Sequence, residues 1–234
     1  MVLPLGILVT GEPVPNVRAT RGPFATMIRE TLGSSWDGPI VLLDAERGER
    51  PRAGELAALV VTGSPASVTT RAPWIVDTEA ALAAFVGAGV PTFGICFGHQ
   101  LLAQALGGSV TKNPRGREIG TVEFELVEPD PLFAVTPKRF AVNTSHTDSA
   151  ARLPDGARRL GWTRLDPNGA VRFGERAWGV QFHPEFDGEI VRGYIDARRE
   201  AIASEGIELD ELGSEDAPIS AELLRRFARL AAER

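Results

Sequence analysis

The only cysteine of the chain lies between two glycines, in the stretch Gly94–Gly98. The apolar residues Val90–Ile95 predict a short buried strand, and Gln100–Leu106 predict a helix. At such a strand-to-helix corner the thiol of Cys96 projects outward, and small residues two positions before and after it let strand and helix pass closely. The amides and dipole at the start of the helix favour the thiolate, which is the reactive form. We therefore predict that Cys96 is a nucleophile.

An isolated free cysteine is more often a buried core residue, so a catalytic thiol needs partners. A cysteine nucleophile uses a histidine to manage its proton and a third group to orient that histidine. His183 follows the alternating strand Trp178–Phe182. Residues i and i+2 of an extended segment share a face, so Glu185 can reach the His183 imidazole, and Pro184 stiffens the link. The alternative is an exposed histidine beside a solvated glutamate. Together with Cys96, the pattern predicts a Cys-His-Glu triad.

The sequence Gly-Ile-Cys-Phe-Gly-His-Gln at residues 94–100, with Gln-Phe-His-Pro-Glu at residues 181–185, resembles the class I (triad-type) glutamine amidotransferases. The resemblance extends over roughly Leu3–Tyr194, and the similar members are the amidotransferase domain of GMP synthase and the stand-alone proteins related to it. It implies a flavodoxin-like, three-layer α/β fold with a β-hairpin extension. It also implies hydrolysis of the glutamine side-chain amide without a cofactor or a metal.

Further stretches extend the resemblance. Val60–Pro65 resembles the strand and loop that supply backbone donors to the oxyanion hole, which implies that role for Gly63 and Ser64, together with the amide of Phe97. Arg117–Gly120 resembles the segment that opens the family's hairpin. GMP synthases usually have two glycines before the proline, whereas this chain has glycine and serine. The backbone donor survives that change.

The loop Thr144–Asp148 resembles the segment that holds the α-amino and α-carboxylate end of glutamine. From the residues alone, Gln100 could equally serve as a local helix cap, and His146 could equally form a turn. We expect His99, inside the helix that follows the nucleophile, to have a packing or hydrogen-bonding role. The substrate-binding residues that the resemblance implies are Gln100, Ser145, His146 and Thr147.

The composition is that of a globular enzyme. The 234 residues are 43% hydrophobic and 24% charged, which predicts one α/β domain over residues 1–234. No apolar run approaches the ~20 residues of a membrane span, and Met1–Val9 lacks the features of a signal peptide. A single cysteine forms no intramolecular disulfide, and a catalytic thiol is best kept in a reducing compartment, so we expect a cytoplasmic location. The net charge of −6 gives no general attraction for nucleic acid.

Alternating apolar runs and helical patterns predict a doubly wound, mostly parallel sheet, which later β-hairpins extend. The predicted parallel strands are Leu5–Val9, Ile40–Leu43, Leu59–Thr62 and Pro91–Ile95. The predicted hairpin strands are Thr121–Val127, Arg139–Asn143, Arg159–Thr163, Val171–Gly174 and Ala177–Phe182. The predicted helices, besides the one after Cys96, are Phe24–Leu32, Pro73–Val86, Glu189–Ser204 and Ala221–Glu233. The acidic segment Glu205–Pro218 predicts a surface loop, and residues 205–234 a C-terminal helical extension.

Three functions remain open at this point. The first is a glutamine amidotransferase that passes ammonia to a separate synthetase subunit. The chain has no glycine-rich phosphate loop of its own, because neither Lys112 nor Lys138 stands in that context. The second is a γ-glutamyl peptidase, which needs only its substrate and water. The third is a catalytically silent binding or regulatory protein, because a fold does not fix a function.

Overall fold

The computed structural model describes residues 3–233. Met1, Val2 and Arg234 lie outside the described residues. All three belong to the domain predicted over residues 1–234, and the first two belong to the segment Met1–Val9 that lacks the features of a signal peptide. The strands are β1 (Leu5–Val9), β2 (Ile40–Asp44), β3 (Ala58–Val61), β4 (Thr92–Ile95), β5 (Ser109–Lys112), β6 (Glu118–Leu126), β7 (Arg139–His146), β8 (Asp148–Arg152), β9 (Arg158–Thr163), β10 (Ala170–Gly174) and β11 (Ala177–Val180). The helices are α1 (Pro15–Arg21), α2 (Phe24–Leu32), α3 (Pro73–Gly87), α4 (Phe97–Ala105), α5 (Gly188–Ala197), α6 (Arg199–Ser204) and α7 (Pro218–Ala232).

A nine-stranded sheet in the order β2-β1-β3-β4-β11-β10-β9-β6-β7 forms the centre of the fold. The first five strands in this order run parallel, and the remaining four continue the sheet by antiparallel pairing. Strands β5 and β8 form a separate antiparallel ribbon that the sequence patterns did not predict. The doubly wound, mostly parallel α/β fold with a hairpin extension is confirmed.

The central strands bury both faces, which makes them continuously apolar. Leu5 and Ile7 of β1 pack on one face of the sheet with α2 and α7, while Leu8 packs on the other face with α3 and α4. Because successive side chains of a strand point to opposite faces, one short strand supplies both cores. The result is three layers, with the sheet between two sets of helices. Within residues 3–233, no helix combines the length and apolar composition needed to cross a bilayer.

The C-terminal half differs from its prediction in two places. The helix predicted over Glu189–Ser204 is broken, because Arg198 leaves helical geometry with φ −114° and ψ 10° and separates α5 from α6. Neither glycine nor proline marks this break, so the sequence carried no signal for it. The predicted loop Thr144–Asp148 is instead two strand ends: β7 pairs with β6 as far as His146, and β8 begins at Asp148.

The segment after α6 is packed more closely than a simple surface loop. The backbone of Gly213 pairs with Thr121 of β6, and the Asp216 carboxylate accepts from the amide of Gly188 at 2.9 Å. Helix α7 lies in the core rather than beside it, because Phe227 is fully buried with its ring 5.3 Å from that of Phe93. That residues 1–234 form a single domain stays a prediction.

Candidate active site

The strand-to-helix corner at Cys96 has a strained backbone. Cys96 has φ 49° and ψ −101°, a conformation that L-residues rarely adopt. A Cβ on Gly94 would lie 2.6 Å from the backbone of Gly98, and a Cβ on Gly98 would lie 2.5 Å from the carbonyl oxygen of Val61. The two glycines are therefore required by close approach of the backbones, as their spacing predicted.

His183 and Glu185 lie together at the end of β11. The Nδ1 of His183 is 2.8 Å from the Oε1 of Glu185, and both side chains are buried. His183 and Cys96 also line the same cavity. The ring of Phe186 stacks on the imidazole with 4.0 Å between centroids. The structure thus brings the three predicted residues together, with Cys96 and His183 on one cavity and Glu185 bonded to the imidazole.

Gly63 lies against the histidine. A Cβ at this position would lie 2.9 Å from the Cε1 of His183, so only glycine leaves the ring its place. The hydroxyls of Thr10 and Thr62 donate to the carbonyl of Gly63 at 3.0 and 2.9 Å. In a trans peptide the N–H points opposite to the C=O, so these bonds direct the amide of Ser64 away from the threonines.

Gln181 is a residue whose contact the sequence patterns missed. Its amide Nε2 donates to the Sγ of Cys96 at 3.4 Å, and its Oε1 accepts from the Nε2 of Gln100 at 3.1 Å. Gln100 also donates to the carbonyl of Asp148 at 2.8 Å. A buried glutamine directly after an apolar strand was the available signal. Gln100 thus acts on neighbouring protein groups and reaches Cys96 only through Gln181.

The structure places His146 at the end of β7, not in a loop. Its Nε2 lies 3.2 Å from the Oε2 of Glu118 and its Nδ1 lies 3.0 Å from the carbonyl of Asp148. Glu118 also accepts from the hydroxyl of Thr163 and the amide of Leu165, at 2.7 and 3.0 Å. This is a buried ion pair with its polar atoms satisfied. The neighbouring Ser145 and Thr147 are half-buried.

Two cavities meet at Cys96. The smaller one, about 70 Å³, is lined by polar side chains that include Gln100, Arg117 and His146. The larger one, about 430 Å³, is lined by His183 and by apolar groups such as those of Phe24. Ser64, Pro65, Ser145 and Arg198 border both cavities. The Cys96 thiol is therefore reached from a small polar side and from a wider, more apolar side.

Comparison with known proteins identifies the family. Residues 39–192 match the family model of glutamine amidotransferase class-I. The chain belongs to the class I glutamine amidotransferases. It is 39% identical over 162 residues to a GMP synthase [glutamine-hydrolyzing] of Aeropyrum pernix, covering 69% of this chain and 30% of that protein. It is 29% identical over 210 residues to a glutamine amidotransferase-like protein of Schizosaccharomyces pombe, covering 83% and 84% of the two chains.

The fold of the chain matches a solved structure along its whole length. A glutamine amidotransferase from Thermotoga maritima superposes with a TM-score of 0.76 at 22% identity, with 100% of each chain covered. The curated GMP synthases are longer: the chain spans a quarter to a third of their length.

Opposite charges dominate the electrostatics of the candidate site. Burial raises the pKa of the Cys96 thiol, but the charges of His183 and His146 outweigh burial and lower it. Burial lowers the pKa of His183, and the charges of Glu185 and Cys96 reverse this and raise it to about 10. Both shifts favour the thiolate and the imidazolium over the neutral pair.

The remaining histidine lies below the site. His99 is fully buried, its ring lies 5.4 Å from that of Phe173, and burial lowers its pKa to about 3, so it is neutral. This is the packing role that we predicted. Among residues 3–233, no group of three or more His, Cys, Asp or Glu side chains could hold a metal ion.

Proposed function

We propose that this chain hydrolyses the side-chain amide of glutamine through a γ-glutamyl thioester on Cys96, releasing glutamate and ammonia. The observation that carries the proposal is that Cys96 and His183 line one cavity and Glu185 bonds the imidazole, in a chain of the class I glutamine amidotransferase family. A thiolate, a base and an orienting carboxylate are the groups that acyl transfer to cysteine requires.

The reaction begins with attack of the Cys96 thiolate on the amide carbonyl carbon, which forms a C–S bond. In the proposal the backbone amides of Phe97 and of the Gly63–Ser64 loop stabilise the oxyanion, and one such donor is worth about 3 kcal/mol of barrier. The amide of Phe97 is the first of helix α4 and has no partner within that helix. The hydroxyl bonds to the carbonyl of Gly63 hold the second donor in a fixed orientation.

Breakdown of the tetrahedral intermediate breaks the C–N bond. The His183 imidazolium gives its proton to the departing nitrogen, which leaves as ammonia. Neutral His183 then removes a proton from water, the hydroxide attacks the thioester, and Cys96 departs as a thiolate. Glu185 holds the ring and stabilises its charged form through the Nδ1 hydrogen bond.

Within the proposal, the α-amino and α-carboxylate end of glutamine lies in the small polar cavity. Ser145 and Thr147 line this cavity, together with Gln100 and His146. Because the side chains of Gln100 and His146 already bond protein atoms, they shape the cavity and its charge, while the backbone groups beside them contact the substrate.

A separate synthetase subunit is the proposed ammonia acceptor, and the cytoplasm, where thiols stay reduced, is the proposed location. The support for a synthetase comes from the GMP synthase of Aeropyrum pernix, whose name joins GMP synthesis to glutamine hydrolysis. This chain matches only 30% of that protein. The synthetase part therefore has no counterpart in the matched region.

A γ-glutamyl peptidase is the second candidate, and the larger cavity favours it. His183, which protonates the leaving amine, lines the cavity of about 430 Å³, far more room than ammonia needs. An amine that carries a substituent would fit there. The third possibility is a catalytically silent binding protein. It gives no reason for a buried Cys96 beside a histidine that is paired with Glu185.

An assay of several substrates separates these functions. Purified protein is incubated with glutamine, γ-glutamylmethylamide and γ-glutamyl dipeptides, alone and with proteins from the native extract that the immobilised chain retains, and released glutamate is measured. Glutamine hydrolysis that a partner stimulates is the expected result. Full activity of the isolated chain on γ-glutamyl dipeptides, without stimulation, would support the peptidase. Silence towards every substrate in both conditions would contradict both and favour a binding protein.

A further inference from the structure

Arg198 occupies an unusual position at the entrance to the nucleophile. It lies at the break between α5 and α6 and borders both cavities that meet at Cys96. Its side chain is half-buried, and its Nε is fully buried without a hydrogen-bond partner in the protein. A buried guanidinium donor that stays unpaired is costly, so this group lacks an acceptor that binding could supply.

The neighbouring charges do not neutralise Arg198. Within residues 3–233, Arg198 has no acidic side chain at ion-pair distance, whereas Arg117, on the same small cavity, is held by Glu205 through bonds of 2.9 and 2.8 Å. The acidic groups that border the cavities have other partners: Glu12 lies 3.5 Å from Arg18, and the Asp148 carboxylate accepts from Ser67.

The guanidinium lies against Tyr194 at the larger cavity. Its carbon lies 5.6 Å from the ring centroid of Tyr194, a geometry that supports a cation–π contact. Burial, followed by the charge of Arg117, lowers the pKa of Arg198, and the charge of a Cys96 thiolate only partly opposes this shift. An anion between the two arginines would relieve their mutual repulsion.

We infer that Arg198 binds a carboxylate of the substrate through its planar guanidinium and so selects γ-glutamyl compounds that carry one. This inference rests on the proposed γ-glutamyl chemistry at Cys96. Guanidinium is the side chain best matched to a carboxylate, because its donors form a rigid fork. A γ-glutamyl substrate offers Arg198 two carboxylates. One is the α-carboxylate of the glutamyl group, in the small cavity, and the other is a carboxylate on the leaving amine, in the large cavity.

The first test does not depend on turnover. Alkylation of Cys96 is measured with iodoacetate, which carries a carboxylate, and with iodoacetamide, its neutral counterpart. The ratio of the two rates cancels any change in the thiolate itself. We expect Arg198→Gln to lower this ratio about tenfold. Arg198→Lys keeps the positive charge but loses the forked set of donors. Its ratio should lie between those of the wild type and Arg198→Gln.

Arg199→Gln is the matched control, because Arg199 is the next residue, is exposed and pairs with Asp196 at 2.8 Å. It should keep the wild-type ratio. An unchanged ratio in both Arg198 variants, with circular dichroism spectra like that of the wild type, would overturn the inference. This result would stand even if the protein proved inactive towards glutamine, so failure of the inference and failure of the proposed function are distinguishable.

The source of the carboxylate is found with three substrates in the Arg198→Gln variant. Loss of kcat/KM that is equal for glutamine, γ-glutamylmethylamide and γ-glutamylglycine assigns the α-carboxylate, which all three share. Loss confined to γ-glutamylglycine assigns the carboxylate of the leaving group. Wild-type kcat/KM for all three substrates would overturn the assignment of Arg198 to substrate binding.

Discussion

The side-chain amide nitrogen of Gln181 lies 3.4 Å from the Sγ of Cys96. Gln181 is fixed from its other end, because its Oε1 accepts from Gln100 at 3.1 Å. A positioned N–H beside the sulfur stabilises the thiolate, since hydrogen bonding to the charged form lowers a pKa. The thiolate form of Cys96 is therefore stabilised by the amide of Gln181, directly after β11, as well as by His183.

Gln181→Glu replaces this donor by a carboxylate beside the sulfur. We expect the pKa of Cys96 to rise, and the pH midpoint of its alkylation by iodoacetamide to move up by about one unit. Gln104→Glu is the control: Gln104 lies on the same helix as Gln100 and accepts from the amide of Val110 at 3.1 Å, as a glutamate also can. A midpoint equal to that of the wild type in Gln181→Glu would contradict a contact between this side chain and the thiolate.

Gly63→Ala should displace the imidazole of His183. The added Cβ would lie 2.9 Å from the Cε1 of His183, closer than real carbon contacts, so the ring must move. A shift of about 1 Å at a reacting group costs roughly a hundredfold in rate, and we expect a fall of that size in kcat/KM with little change in unfolding. Gly87→Ala, at the end of α3 with open space around it, should keep full activity. Full activity in both variants would mean that His183 needs no such fixed position.

Glu185→Gln tests the orienting carboxylate. The Nδ1–H of His183 donates to Glu185 Oε1 at 2.8 Å, and an amide can present its NH₂ there and favour the wrong tautomer. We expect kcat to fall about a hundredfold or more, but less than on removal of Cys96, because the carboxylate takes part in no bond change. Glu189→Gln, an exposed position, is the control. Equal losses for Glu185→Gln and Cys96→Ala, with unchanged circular dichroism, would refute this ranking.

The ion pair of His146 and Glu118 makes stability depend on pH. Burial opposes the charge on His146, but Glu118 raises the His146 pKa from 6.5 to about 9. The folded protein thus holds this proton more tightly, so the contribution is complete below pH 6.5 and is lost as the pH rises through about 9. The pKa of Glu118 is lowered against the effect of burial, so its own contribution is lost only on acidification.

We therefore expect Glu118→Gln to lower the free energy of unfolding by on the order of 2 kcal/mol at pH 6.5, and by much less at pH 9.5. Urea unfolding at the two pH values measures the difference. Glu123→Gln, on the exposed face of the same strand, should match the wild type at both. A loss from Glu118→Gln that is equal at both pH values would contradict a loss of the His146 proton between pH 6.5 and pH 9.5.

The parts of the site that the sequence predicted are local. Gly94 and Gly98 flank Cys96 within one motif, and His183 and Glu185 are two residues apart, so strand and elbow geometry alone bring each set together. The apolar runs that correspond to β1, β2, β3 and β4 likewise predicted the doubly wound core. In these cases the short-range pattern and the final packing agree.

The missed features join segments that are distant in sequence. The contact of Gln181 with Cys96 spans 85 positions and depends on the register of β11 against β4. The pair of His146 and Glu118 depends on the register of β6 and β7, which also turned the predicted loop into a strand end. Arg198 reaches the site through a helix break that no glycine or proline marks. Register and such breaks are decided by tertiary packing, which a single sequence does not display.

The most direct test of the account is detection of the acyl-enzyme. Wild-type protein is mixed with saturating isotope-labelled glutamine or γ-glutamylmethylamide and quenched in acid, and the peptides are analysed by mass spectrometry, with Cys96→Ala treated in parallel. The account predicts one labelled glutamyl group on Cys96, and neither a labelled peptide nor glutamate release in Cys96→Ala. Label on another residue, or glutamate release retained by Cys96→Ala, would contradict the assignment of Cys96 as the nucleophile.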